Sequence, residues 1–293
     1  MRKRTLLFIL IVCALALSLF GQQTAAPKPQ RQFLLWKVTS PTATAYLVGS
    51  MHILTSNDVY PLPPEVEKAF AESSVLAVEA DVRNVDQQHM MEMVQKYGIY
   101  TNGDSLSHHL SKPTADALAS FCSQYGFPCA TLEPLRPWMA GMLVAVWPIV
   151  KAGVDPKNGI DMHFLNETKT NQRVAELESA DAQFELLAGQ SEAEQDKFLA
   201  YSLEGAGKMQ ELEKAYLSGD IDALLKDLPP SSELVNHLIN ERNVRMTEKV
   251  TGFLKTKGTS FVVVGAAHVI GEKGIANLLQ QQGYKVERTA YAW

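Results

Sequence analysis

Two histidines sit in the same local pattern: an apolar run, then glycine, two residues and histidine. Ala45-Tyr46-Leu47-Val48 leads into Gly49-Ser50-Met51-His52, and Phe261-Val262-Val263-Val264 leads into Gly265-Ala266-Ala267-His268. Each reads as a buried strand that stops at a glycine, where the chain turns without a Cβ clash and presents the histidine. In open α/β sheets, ligands bind beyond the carboxyl ends of the strands. A third run, Val75-Leu76-Ala77-Val78-Glu79-Ala80-Asp81, ends in two carboxylates spaced by two. Side chains alternate along a strand, so Glu79 and Asp81 share a face, and either is a candidate to meet the histidines. Two imidazoles and a carboxylate on one rim make a metal site or an acid–base site. A hydrolytic metal takes about three protein ligands and keeps a position open for water, and His52, Glu79 and His268 supply such a set. The activated water would attack a carbonyl, with Arg242 either stabilising the developing oxyanion or holding Glu79 in place. Two other readings stay open. His52 could work as a metal-free general base, or the histidines could be hydrogen-bonded turn residues that do no chemistry.

The surrounding pattern shows what must position these residues. Phe33–Val38 and Thr44–Val48 read as a β-hairpin around Ser40-Pro41-Thr42. Pro63 and Pro64 open a helix to about Ser73, and the 75–81 strand follows. Residues 84–228 read mainly as helices: 86–97, 113–125 (capped by Ser111 or Thr114), the strongly apolar 137–150, 162–168 behind an Asp161 cap, 191–205 and 208–217. Within that region Arg173–Leu177 is a candidate third sheet strand that would bring Glu178 near the rim. After Pro229-Pro230, a long helix from Ser232 to Leu254 carries Arg242 and Asn243 at its middle. The 273–282 helix and the 284–288 strand follow the second motif. Strand–helix–strand order at both ends, with helices between, predicts an α/β fold. It would be one domain over 33–293, with a mixed or parallel central sheet and a large helical insert at about 84–228. His89, His108 and His109 read as surface or capping residues, and His163 with Glu167 as an i, i+4 pair on a helix face. The stretch Trp138–Trp147 suits either a substrate groove or a buried helix.

Residues 1–26 have the layout of a secretory leader and the start of a linker. Arg2, Lys3 and Arg4 precede an apolar run from Leu6 to Phe20 and then Gly21. That run is short for a membrane span, which needs roughly 20 apolar residues. The expectation is an exported protein, periplasmic or secreted, that touches a membrane only if the leader is not cleaved. In that setting Cys122 and Cys129, in CSQYGFPC, read as a disulfide closing a turn after a helix. Their spacing fits neither a thioredoxin-type CxxC nor a zinc knuckle. The net charge of −5, with no basic cluster after residue 4, gives nucleic acid no electrostatic foothold. No phosphate-binding glycine loop is present, since GVDPKNG is a turn. A peptide or small-molecule substrate is the expected partner.

The chain resembles the TraB/GumN family, which includes the Tiki metalloproteases. The match rests on LWKV with YLVGSMHIL, YPLPPEVEKAF with VLAVEAD, ERN, and VVVGAAHVIGEKGI with LLQQQGYKV, in that order along nearly the whole mature chain. The resemblance implies a fold of the erythromycin-esterase/ChaN-like type and metal-dependent peptide hydrolysis. Manganese or cobalt would be the favoured metal, and the ligand types also admit zinc. It maps the family's motif histidines onto His52 and His268, its glutamate onto Glu79, its Arg-Asn pair onto Arg242 and Asn243, and its glycines onto Gly49 and Gly265. The first motif reads GSMH where GTxH is commoner, and Ser50 keeps the hydroxyl. A reading from another class is a binding or regulatory protein that sequesters a peptide or haem on the same rim.

Overall fold

The computed structural model describes residues 31–55, 59–84, 86–155, 158–228, 233–289 and 291. The leader at 1–26 and the Pro229-Pro230 break lie outside the described residues. Strands β1 (Leu35–Thr39) and β2 (Ala43–Ser50) form the expected hairpin, paired antiparallel. β3 (Val75–Val78), β4 (Arg173–Glu176), β5 (Gly258–Gly265) and β6 (Lys285–Thr289) complete a six-stranded sheet in the order β4-β3-β5-β2-β1-β6. β5 lies between β2 and β3 and is parallel to both, and β4 is parallel to β3. β1 is the antiparallel strand, pairing that way with β2 and with β6. The sheet is therefore mixed, with the carboxyl ends of β2, β3, β4 and β5 on one rim. β5 is buried from Ser260 to Gly265, which is why its sequence is a continuous apolar run rather than an alternating one.

Several local expectations are corrected. β3 ends at Val78, not Asp81, because the chain bends at Glu79. The long helix is described from Glu233, and a π-helical stretch at Asn236–Glu241 interrupts it before the regular helix Arg242–Lys255. Arg242 thus begins the regular segment, and wide turns of this kind recur at functional sites. The cap before the Ile160–Asn166 helix is Gly159, and Asp161 lies in the first turn. The helical insert also returns one strand, β4, to the edge of the sheet, as its alternating sequence suggested.

The insert has its own small core, in which Leu106, Phe121, Leu132, Val144 and Leu199 are buried together. Ser111, not Thr114, caps its Lys112–Tyr125 helix by accepting from the Thr114 N–H, and Gly126 ends that helix at φ 61°. Cys122 and Cys129 then stand at disulfide distance, with Cα atoms 5.9 Å apart. The apolar Pro137–Lys151 helix packs against the Glu192–Gly205 helix, so closely that a Cβ on Gly141 would meet Phe198 at 2.9 Å. In the Trp138–Trp147 stretch one face, with Trp138, Ala140, Gly141 and Val144, is buried, while Met142 and Leu143 are exposed. Among the described residues no helix is long and apolar enough to cross a membrane.

Candidate functional site

The register of β2 with β5 pairs Ser50 with Gly265, so the two glycine–histidine exits lie side by side. They nearly touch: a Cβ on Gly49 would meet Ala266 Cα at 3.2 Å. His52 follows β2, and His268 lies in the single helical turn Ala266–Val269 that follows β5. β3, on the other flank of β5, delivers Glu79. The three side chains converge over Gly265. A Cβ there would stand 3.2 Å from His52 Nε2, 3.3 Å from Glu79 Oε1 and 3.7 Å from His268 Cδ2, so glycine is needed for space.

Glu79, not Asp81, belongs to this constellation. Its Oε1 accepts from the Gly265 N–H at 2.7 Å, and its Oε2 accepts from Arg242 Nη2 at 2.7 Å. With the strand ended at Val78, alternation no longer aims Asp81 at the rim, and Asp81 pairs with Arg83 at 2.6 Å. Of its two expected positions, Arg242 occupies the one against Glu79. Its Nε also donates to Glu178 Oε2 at 2.8 Å, and Nη1 donates to the Leu238 carbonyl at 3.1 Å. Arg242, Glu79 and Glu178 have side chains 12%, 12% and 6% exposed, so the guanidinium neutralises two buried carboxylates at once.

His268 is held in one tautomer. Asn243 Nδ2 donates to the Lys273 carbonyl at 2.8 Å, which turns Oδ1 toward His268 Nδ1 at 2.7 Å. Nδ1 must then carry the proton, leaving the Nε2 lone pair facing Glu79 Oε2 at 3.8 Å. Burial drives the His268 pKa down to about 4 against the pull of Glu79, so the ring is neutral near pH 7.

His52 is the more open ring, 58% exposed, with Nε2 3.8 Å from Glu79 Oε1 and Nδ1 3.3 Å from Asp161 Oδ1. Loss of water around it works to lower its pKa, but Asp161 and then Glu79 outweigh that and lift it to about 9. Burial likewise works to raise Glu79, yet the imidazoles, Arg242 and the Gly265 N–H hold it well below the usual carboxylate range.

Asp161 and Glu178 are the rim residues that sequence reasoning left without a role. Asp161 is brought in by a clamp on the loop after β2: Leu54 N–H donates to the Asn158 carbonyl at 2.7 Å, and Ile160 N–H to the Met51 carbonyl at 3.1 Å. A Cβ on Gly159 would collide with the His52 carbonyl, so glycine permits the clamp. The only sequence signal was the turn Asn158-Gly159, which says nothing about its partner. His163 joins Glu67 at 2.9 Å rather than Glu167, and His89 joins Asp181 at 2.8 Å; neither is part of the rim site.

Two imidazoles and a carboxylate are donor types that divalent cations take. Both Nε2-to-Glu79 separations are below about 4.2 Å, twice a zinc–nitrogen bond of about 2.1 Å. His268 Nδ1 has a hydrogen-bond partner in Asn243, the support that metal-ligating histidines require, whereas Asp161 Oδ1 lies 3.3 Å from His52 Nδ1 without making a hydrogen bond. Among the described residues no group of three or more His, Cys, Asp or Glu stands ready to hold a cation, and Glu79 is engaged by Arg242 and Gly265. Two cavities meet at His52. One, of about 340 Å³, is lined by Glu79, Asp161, Met162 and Gln183. The other, of about 410 Å³, is lined by His268 and by apolar residues from the insert and the π-helical stretch.

Fold and site together define an α/β protein with a paired-histidine and carboxylate centre on the carboxyl rim of a mostly parallel sheet. The TraB/PrgY/gumN family model matches residues 34–288, and the chain belongs to that family. No curated protein and no solved structure matches it.

Proposed function

We propose that the protein is an exported, metal-dependent hydrolase acting on peptides, with one divalent cation held by His52, Glu79 and His268. Manganese or cobalt is the favoured ion and zinc the alternative. The observation that carries this reading is the convergence of the two imidazoles and Glu79 over Gly265, with the His268 tautomer set by Asn243. Export rests on the leader pattern of residues 1–26. A cation there would act as a Lewis acid on a carbonyl and lower the pKa of a water toward neutrality.

The chain's own residues prepare the donors. Asn243 keeps a proton on His268 Nδ1, so Nε2 offers its lone pair. Asp161 Oδ1 stands 3.3 Å from His52 Nδ1, where its charge favours a proton on that nitrogen. Arg242, braced by Glu178, fixes Glu79 between the two imidazoles. The metal-free alternative is weaker on the same geometry. Asp161 and Glu79 beside His52 both favour its charged form, which works against its accepting a proton as a general base.

The test is elemental analysis of protein purified without chelator, with His52→Ala and His268→Ala beside it and folding checked by thermal melt. Near-stoichiometric metal that is lost in both folded variants, together with metal-dependent cleavage of a peptide library, is the expected result. No metal in the wild type after addition of manganese, cobalt or zinc would overturn the reading.

A further inference from the structure

The larger cavity at the rim has an uneven chemistry. Its wall is apolar: Leu212, Leu224, Ile239 and Ala266 line it, with Tyr201 and Tyr216. Both tyrosine hydroxyls are already spent. Tyr201 donates to the Asp227 carbonyl and Tyr216 to the Gly49 carbonyl, each at 2.8 Å. Asp227 is the one carboxylate on this wall, which disfavours an acidic occupant.

Ser50 is the exception. It lines the same cavity, is 3% exposed, and its Oγ has no hydrogen-bond partner among the described residues. A buried hydroxyl without a partner costs stability unless something that binds there satisfies it. Ser50 lies next to Gly265 across the β2–β5 register, directly beside the two histidines. A cavity of about 410 Å³ is within the roughly 300–1,000 Å³ of small-ligand sites.

We infer that this cavity is the subsite for one large apolar side chain of the substrate peptide, adjoining the bond to be cut, and that Ser50 Oγ hydrogen-bonds the substrate main chain there. This rests on the hydrolase reading for the position of the cut, but the binding preference stands without it. The occupant should be apolar because Leu212, Leu224, Ile239 and Ala266 form the wall away from the histidines, and Asp227 there opposes an acidic one. It must adjoin the reacting bond because His52 and His268 line the same space.

Two readouts test it. Capped tripeptides Ala-Phe-Ala, Ala-Ala-Ala and Ala-Asp-Ala are titrated into the full chain by intrinsic fluorescence or NMR shift. The metal-supplemented protein is then given a peptide library. The phenylalanine peptide should bind at least about tenfold more tightly than the alanine one, and the aspartate peptide least. Cleavage should show a large apolar residue at one fixed position. Leu212→Trp, or Ile239→Phe should the first not fold, should reverse the phenylalanine-over-alanine preference by about tenfold or more. Ser50→Ala should weaken binding of all three peptides by up to about tenfold without lowering the melting temperature, and Ser50→Thr should restore it. Equal affinity for the phenylalanine and alanine peptides, or a preference unmoved by both wall variants, would overturn the inference. Peptides bound with the expected preference but never cut would overturn the hydrolase reading alone. Cutting without that preference would overturn only the subsite.

Discussion

Histidine meets carboxylate in two regions of this molecule, and they differ in what each leaves unused. In the helical insert His109 Nε2 lies 2.8 Å from Asp104 and its Nδ1 3.1 Å from Glu192, while His108 Nδ1 lies 3.0 Å from the same Asp104. Both nitrogens of His109 thus face a carboxylate oxygen. Although drying of the ring works to lower its pKa, Asp104 and Glu192 raise it. At the rim, His268 gives Nδ1 to the neutral Asn243 amide and turns Nε2 toward Glu79, while His52 stands farther from its two carboxylates, 3.3 Å from Asp161 and 3.8 Å from Glu79. The residue types are the same in both places. The rim differs in having glycine beneath it and a guanidinium fixing its carboxylate, so the insert cluster can staple helices while the rim can hold a ligand.

The largest expected effect belongs to the guanidinium. Arg242→Ala leaves Glu79 and Glu178, both nearly buried, without their cation, and should cost about 3–5 kcal/mol in chemical denaturation. A loss below about 1 kcal/mol would mean that water, rather than Arg242, stabilises those carboxylates. Next is Asn243→Ala, which frees the His268 tautomer and should lower metal affinity about 10–100-fold. His109→Ala serves as the contrast and should leave metal stoichiometry and affinity unchanged. If the two variants behaved alike, the distinction between the regions would fail.

Proton competition comes third. A cation must displace the His52 proton, so apparent affinity should rise about tenfold per pH unit as pH approaches about 9 and flatten above it. Affinity measured at pH 7, 8 and 9 checks this, and a flat profile would remove His52 from the ligand set. The same shift has a stability consequence for the cation-free protein. The raised pKa stabilises the fold fully below 6.5, and that contribution is lost as pH rises to about 9. The smallest effect is expected for His108→Ala. That ring is 71% exposed against a single carboxylate, and the melting temperature should not move measurably.

Much of the rim was legible because its signals are local. Four apolar β-formers before Gly265 predicted β5, the matching run before Gly49 predicted β2, and the two histidines followed by position. The Glu79–Asp81 pair was not resolvable in this way. Strand alternation treats the two alike, and the bend after Val78 that separates them arises from how the chain leaves the sheet. The π-helical stretch before Arg242 was equally hidden, since no residue type or spacing in Asn236–Glu241 marks the change from i→i+4 to i→i+5 bonding.

Short-range chemistry in the sequence therefore determined the strands, the turns at their ends and the residue types presented there. Backbone sterics and side-chain alternation act over a few residues and need no distant partner. Only the tertiary structure decided that β5 lies between β2 and β3, that Asp161 meets His52, that Arg242 joins Glu79 to Glu178, and that an apolar cavity opens beside the two imidazoles. Those contacts join residues far apart in the chain. They are selected by which packing buries the sheet and satisfies its buried charges, and no local pattern of residues encodes that choice.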